Sequence, residues 1–185
     1  SLDQELQRTG KTGFDLETVV LMSQHMTRGL SVVHQHGFIH ADVKPGNFLY
    51  GRSGRNENVI KVSDFGIARS LKAQLTGGGK RLRARTPGYS SPEQILNEPL
   101  GVQSDLYALG CVIFELLTGK PVFSFDDFHR CDQDHVQTQA PYVSDLRADV
   151  PRPLAELVTS LLRKSPAERP GSADEVLAEL GRVRL

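Results

Sequence analysis

The sequence predicts a mainly α fold, a helical bundle around a central apolar helix with a small β-hairpin at a cleft. Residues 104–118 are apolar on nearly every side, so the helix they form belongs inside a fold rather than on its surface. Val19, Met22, Met26, Leu30 and Val33 recur three and four apart, the periodicity of a long amphipathic helix. The strand-like pieces are few and short: Phe48-Leu49-Tyr50 and Ile60-Lys61-Val62, with polar turn formers at 51–58 between them.

Taken in chain order, the first helix has Asp15 as its N-cap and stops before Gly37. The hairpin follows. Residues 67–90 show little apolar periodicity and carry Gly77, Gly78 and Gly79 followed by Lys80, Arg81, Arg83 and Arg85, which reads as a long loop. Ser91, Pro92 and Gln94 mark a helix start, and the central helix ends at Gly119 and Pro121. Beyond Phe125 the chain reads as helix-poor until Pro151-Arg152-Pro153 leads into a helix marked by Leu154, Leu157, Val158, Leu161 and Leu162. Ser172 and Glu175 form a capping box before Val176, Leu177 and Leu180.

The 185 residues, 38% hydrophobic and 24% charged, suit one globular domain with its own core, and no repeat or linker divides residues 1–185. Lys plus Arg equals Asp plus Glu at 22 each, so no overall field favours nucleic acid or an anionic membrane. No apolar run approaches the about 18 residues of a membrane span, and no signal-peptide pattern opens the chain. Cys111 and Cys131 lack metal-ligand spacing, and the apolar neighbours of Cys111 make it a core residue. A reducing, cytoplasmic setting is the expectation.

Four ordered segments carry the chemistry: His40-Ala41-Asp42-Val43-Lys44-Pro45-Gly46-Asn47, Asp64-Phe65-Gly66, Ser91-Pro92-Glu93, and Asp105 at the start of the apolar helix. Each alone is weak, but in this order they resemble the catalytic loop, metal-binding tripeptide and activation-segment end of a protein kinase. Over essentially its whole length the chain resembles the larger, C-terminal lobe of a eukaryotic-like (Hanks-type) serine/threonine protein kinase. Phosphoryl transfer needs a carboxylate beside the attacking hydroxyl and metal ions on the phosphates. The resemblance therefore implies ATP and Mg²⁺ as cofactors and serine or threonine hydroxyls of a protein substrate as acceptors. It assigns catalysis to Asp42, Lys44 and Thr86, and magnesium to Asn47 and Asp64, hard oxygen ligands of the kind the ion prefers. Lys44 would also neutralise the transferred phosphate, and Leu49, otherwise a plain core residue, would floor the adenine pocket. Asp105 would accept backbone hydrogen bonds from the catalytic loop, while Glu93 and Arg169 would form a buried ion pair. The lean tail beyond Phe125 resembles bacterial members of the family.

The chain departs from the family pattern at Ala41, where kinases controlled by loop phosphorylation carry arginine; weak dependence on phosphate at Ser70 or Thr76 follows. Nothing before the first helix offers a Gly-rich loop or the strand lysine and its glutamate partner, and Ser1-Leu2-Asp3 resembles the segment just after the hinge between lobes. The expectation is a lobe without its N-terminal kinase lobe, with negligible activity alone. Two motifs are decoys. Gly10-Lys11-Thr12 lacks the upstream glycine and strand of a phosphate-binding loop, and the Lys80–Arg85 cluster reads as a solvated face, or a holder of a loop phosphate or acidic substrate, rather than a nucleic-acid site. A non-catalytic, pseudokinase-like binding module is the alternative, and a small-molecule kinase is disfavoured by Ser91-Pro92-Glu93 and Thr86.

Overall fold

A computed structural model describes residues 1–9, 13–52, 58–63, 69–70 and 86–185. Helix α1 (Leu2–Thr9), which the sequence reading leaves out, buries Leu2 and Leu6, one turn apart, and offers little else that is apolar. Helix α2 (Leu16–Gln35) is the long amphipathic helix expected, and the Asp15 carboxylate caps it by accepting the Thr18 N–H at 2.8 Å. Val19, Met22, Met26 and Leu30 face inward. Ser23 and Thr27 are buried beside them and return their hydroxyl protons to the carbonyls of Val19 and Ser23, so no orphan donor is carried into the core.

Strand β1 (Phe38–Ile39) pairs antiparallel with β4 (Arg69–Ser70), a short ladder within the span that the sequence presents as loop. Two residues per strand leave no alternation from which to read it. The hairpin is present, with β2 (Phe48–Arg52) antiparallel to β3 (Asn58–Val62) in the register Phe48↔Val62 to Arg52↔Asn58.

Helix α3 (Pro92–Ile95) opens with the reciprocal cap expected of Ser91 and Gln94, and the Ser91 N–H donates to Gln94 Oε1 at 3.0 Å. Helix α4 (Val102–Thr118) is the central element: every residue from Ser104 to Phe114 is buried, and Gly119 ends it in the left-handed conformation at φ +67°. A Cβ at Gly110 would sit 2.8 Å from the Leu161 side chain, so the missing side chain is what lets a neighbouring helix pack this closely. That neighbour is α7 (Arg152–Leu161), held by Leu154, Leu157, Val158 and Leu161.

Between them the structure corrects the helix-poor reading. Helices α5 (Phe128–Gln137) and α6 (Val143–Leu146) occupy the stretch, α5 capped by the Asp127 carboxylate on the N–H groups of His129 and Arg130. The buried residues of α5 are Cys131 and His135, so its inward face carries almost no apolar signal. Helix α8 (Ala173–Leu180) starts at Ser172, whose hydroxyl accepts the Glu175 N–H, while the Glu175 carboxylate reaches one residue further back, to the Gly171 N–H. It is tied to α2 by Ser31 donating to Asp174 at 2.7 Å.

Both cysteines are buried and outside any disulfide, and burial pushes the Cys111 thiol up, as befits an inert core residue. Among the described residues no helix is long and apolar enough to cross a membrane.

Candidate active site

The chain leaves β1, runs through residues 40–44, and turns through a short 3-10 helix, Pro45–Asn47, into β2. What fixes this loop is Asp105, buried in the first turn of α4. Its carboxylate accepts the backbone N–H groups of His40 and Ala41, each at 2.8 Å, and meets His34 Nε2 at 2.8 Å. Ala41 sits in the left-handed region at φ +63°, which costs a non-glycine residue about 1–2 kcal/mol. Both of its backbone polar groups are held: the N–H by Asp105 and the carbonyl by Gln94 Nε2 at 2.8 Å. The strain is thus over-determined by neighbours, as strained residues at active sites are.

His40 is the second fixture. Its Nδ1 accepts the Asp42 N–H at 3.3 Å, so Nε2 carries the proton and donates it to the Ser63 carbonyl at 3.0 Å. Ser63 in turn donates its N–H and its hydroxyl to the Asn47 carbonyl at 2.8 and 3.0 Å. The two ends of the hairpin are locked to each other and to the loop.

Within this frame three of the expected residues converge on Asp42. Lys44 Nζ lies 2.7 Å from Asp42 Oδ2, the Thr86 hydroxyl donates to Oδ1 at 2.8 Å, and Asn47 Nδ2 donates to Oδ2 at 3.0 Å and to the Asp42 carbonyl at 2.7 Å. Lys44 also donates to the Thr86 hydroxyl at 2.9 Å, which closes a ring of lysine, threonine and aspartate. The Asp42 carboxylate is 11% exposed and the Lys44 side chain 28%, so the cluster opens to solvent on one side. The Asn47 nitrogen is committed to two acceptor oxygens, which sets the amide's orientation and leaves its oxygen to serve a hard cation.

Leu49 lies in β2 opposite Lys61 and is 52% exposed. Asp64, with Phe65 and Gly66, falls outside the described residues, as do Gly10-Lys11-Thr12, Thr76 and the Lys80–Arg85 cluster.

A second charged centre anchors the segment that follows Thr86. Arg169 and Glu93 meet at 2.8 and 2.9 Å with side chains 0% and 3% exposed, and Ser104 donates to the same carboxylate at 2.7 Å. Burial pushes the Glu93 carboxyl up, but the Arg169 hydrogen bonds and charge, with Ser104, win and hold it below its ordinary value. Tyr89 donates to Glu115 at 2.6 Å, where burial raises both groups. A third buried cluster lies beneath: Tyr107 and His135 Nδ1 are 2.9 Å apart, and Lys164 donates to the carbonyls of Asp134 and His135 at 3.1 and 2.7 Å. Burial, then the Lys164 charge, lower the His135 pKa to about 4.

Sequence reasoning missed the parts played by Gln94, His34 and Ser63. Gln94 was legible only as a cap; its reach to the Ala41 carbonyl spans 53 positions and leaves no local signal.

The protein kinase domain family matches residues 1–180. The serine/threonine-protein kinase PknB of Mycolicibacterium smegmatis is 40% identical over 159 residues, 84% of this chain and 24% of that protein. A probable PknB of Corynebacterium glutamicum is 37% identical over 159 residues, 83% of this chain and 24% of that protein. A probable serine/threonine-protein kinase of Clostridium acetobutylicum is 29% identical over 185 residues, all of this chain and 27% of that protein. The chain thus spans about a quarter of the length of these relatives. Taken with the carboxylate, lysine, threonine and asparagine gathered at Asp42, the match shows that the chain belongs to the protein kinase domain family, among the Hanks-type serine/threonine kinases.

Proposed function

We propose that the chain provides the phosphoryl-transfer face of a serine/threonine protein kinase, which moves the γ-phosphate of ATP to serine or threonine hydroxyls of a protein. The observation that carries this is the binding of one carboxylate, Asp42, by Lys44, Thr86 and Asn47 together. An ionised carboxylate offers about four lone-pair sites. Three are taken here, and the remaining capacity on the open side suits an incoming hydroxyl. Asp42 then orients that hydroxyl and takes its proton as the new O–P bond forms. Lys44 puts its charge beside the phosphoryl oxygens, and the Thr86 hydroxyl, donating to Asp42 and accepting from Lys44, sets the distance between acid and base.

The residues present fit the cofactor. Asn47 would hold the cation through its amide oxygen, and Asp64, by resemblance, would be the second ligand. Bound Mg²⁺ would neutralise the phosphate charge of ATP. Leu49, half-exposed on β2, is proposed as the floor beneath the adenine ring.

The domain assignment is part of the proposal: residues 1–185 act as the C-terminal lobe, in the cytoplasm, and need an N-terminal lobe to clamp the nucleotide. Without that clamp, orientation and electrostatic preorganisation are lost, and those terms supply most of the rate. Ala41 offers only a methyl group where a phosphate-pairing arginine would stand, so turnover is expected to be insensitive to phosphorylation of Ser70 or Thr76. Joining the chain to the N-terminal lobe of a relative and assaying ATP–Mg²⁺ with a generic protein acceptor tests the function. Phosphoserine and phosphothreonine without phosphotyrosine are expected; phosphotyrosine as the main product would overturn it.

A further inference from the structure

The peptide plane that leads into Asp42 is gripped at both ends. Its carbonyl, that of Ala41, accepts Gln94 Nε2 at 2.8 Å, and its N–H, that of Asp42, donates to His40 Nδ1 at 3.3 Å. A turn of this plane changes ψ of Ala41 and φ of Asp42, the dihedrals that aim the Asp42 side chain from the loop. The bond to His40 is long, so Gln94 is the firmer of the two grips. It also works against a load, because Ala41 at φ +63° carries a Cβ where L residues relax toward negative φ.

Gln94 is itself held in place. It is buried, and both ends of its amide are committed: Oε1 accepts the Ser91 N–H at 3.0 Å and the Ser91 hydroxyl at 3.3 Å, while Nε2 serves Ala41. The opposite orientation would set oxygen against a carbonyl, so the bonds admit only this one. Its neighbour Glu93 pins α3 to the body through Arg169, so one side chain anchors the helix and the next reaches the loop. The gap beside Ala41, Asp42, Thr86 and Gln94 is about 10 Å³, room for one water at most.

We infer that Gln94 is a positioning residue for phosphoryl transfer: through the Ala41 carbonyl it holds the peptide plane that aims Asp42 at the acceptor hydroxyl. The inference rests on the reading of Asp42 as the group that takes the acceptor's proton.

Gln94→Glu separates the two duties of the side chain without shortening it, which would admit a water as substitute donor. An ionised carboxylate still accepts from Ser91 but cannot donate to Ala41; a protonated one can, and burial against a carbonyl favours the proton. In the chain joined to an N-terminal lobe, Gln94→Glu should lower the single-turnover transfer rate at least about tenfold at about pH 8, with ATP affinity unchanged. The deficit should shrink as pH falls to about 5.5, measured as a ratio to the unsubstituted form. Gln94→Met, which cannot donate at any pH, should show a deficit that does not depend on pH, and it carries the test if Gln94→Glu melts early. A merely structural role would lower the melting temperature of both variants and leave the rate well below the melt unmoved. An undiminished rate in either variant, or a Gln94→Glu deficit as large at the lower pH as at the higher, would overturn the inference while Asp42→Asn still abolishes transfer. Transfer that survives Asp42→Asn, or a joined form that transfers no phosphate, would instead overturn the reading of Asp42, and this inference with it.

Discussion

Two ion pairs of the same kind, Asp42 with Lys44 and Glu93 with Arg169, are built to opposite specifications. In the first, the lysine is 28% exposed and the carboxylate keeps bonding capacity toward solvent. In the second both side chains are almost wholly buried and the arginine has no donor to spare. Arg169 spends Nε on the Arg163 carbonyl, Nη1 on Glu93 and the Gln103 carbonyl, and Nη2 on Glu93 and the Lys164 carbonyl, which uses all five of its N–H groups. A lysine there could not satisfy this geometry, while at Lys44 a flexible point charge can follow a moving phosphoryl group. The open pair is the one proposed for chemistry; the closed pair holds the segment after Thr86 against the helices.

Breaking each pair should therefore show in a different measurement. Lys44→Met, in the chain joined to an N-terminal lobe, should lower kcat about 10²-fold or more and shift the melting temperature less than loss of the buried pair would, since Asp42 keeps Thr86 and Asn47 as partners and an opening to solvent. Arg169→Met should do the reverse first, destabilising the chain by about 3–5 kcal/mol in urea titration, because Glu93 is left buried and unpaired. The Glu93 carboxyl lies below its ordinary 4.5, so its contribution is in place above that pH and lost as pH falls through the lowered folded value.

The His135 site extends the comparison to a buried group for which burial and the like charge of Lys164 outweigh the opposite charges of Asp132 and Asp134. Its folded pKa of about 4 is below the ordinary 6.5, so the neutral ring stabilises the fold above pH 6.5 and that stability drains away as pH falls towards 4. His135→Gln should flatten the change in urea midpoint between pH 7 and pH 5, a window above the one in which Glu93 acts. Smaller again, Asp15→Ala should cost about 1 kcal/mol by removing the cap of α2, read as a drop in melting temperature. Arg152→Ala should change the melt by nothing measurable, since both it and its partner Glu156 are exposed.

How much of this was legible in the sequence follows the same divide. The central helix announced itself because burial on all sides writes an unbroken apolar run, and Asp42, Lys44 and Asn47 lie within six positions of one another. Thr86 stands 44 positions from Asp42 and entered only through family resemblance, which the hydrogen bond now gives a physical reason. Helix α5 was invisible because cysteine and histidine make its inward face, and α1 because two leucines in eight residues write no period. The tie from Gln94 to Ala41 was illegible for a different cause. A side chain that already explains itself as a cap gives no sign of a second bond across the fold.

The central claim is that Asp42 and its three partners form a phosphoryl-transfer site that works only when a second lobe covers the nucleotide. Transfer of labelled phosphate from ATP–Mg²⁺ to a protein acceptor, measured for the chain alone, for the chain joined to an N-terminal lobe, and for Asp42→Asn in the joined form, tests it directly. The account predicts turnover in the joined form alone and a loss of about 10²–10⁴-fold in the variant. Robust turnover by the chain alone, or undiminished turnover with asparagine at position 42, would contradict it.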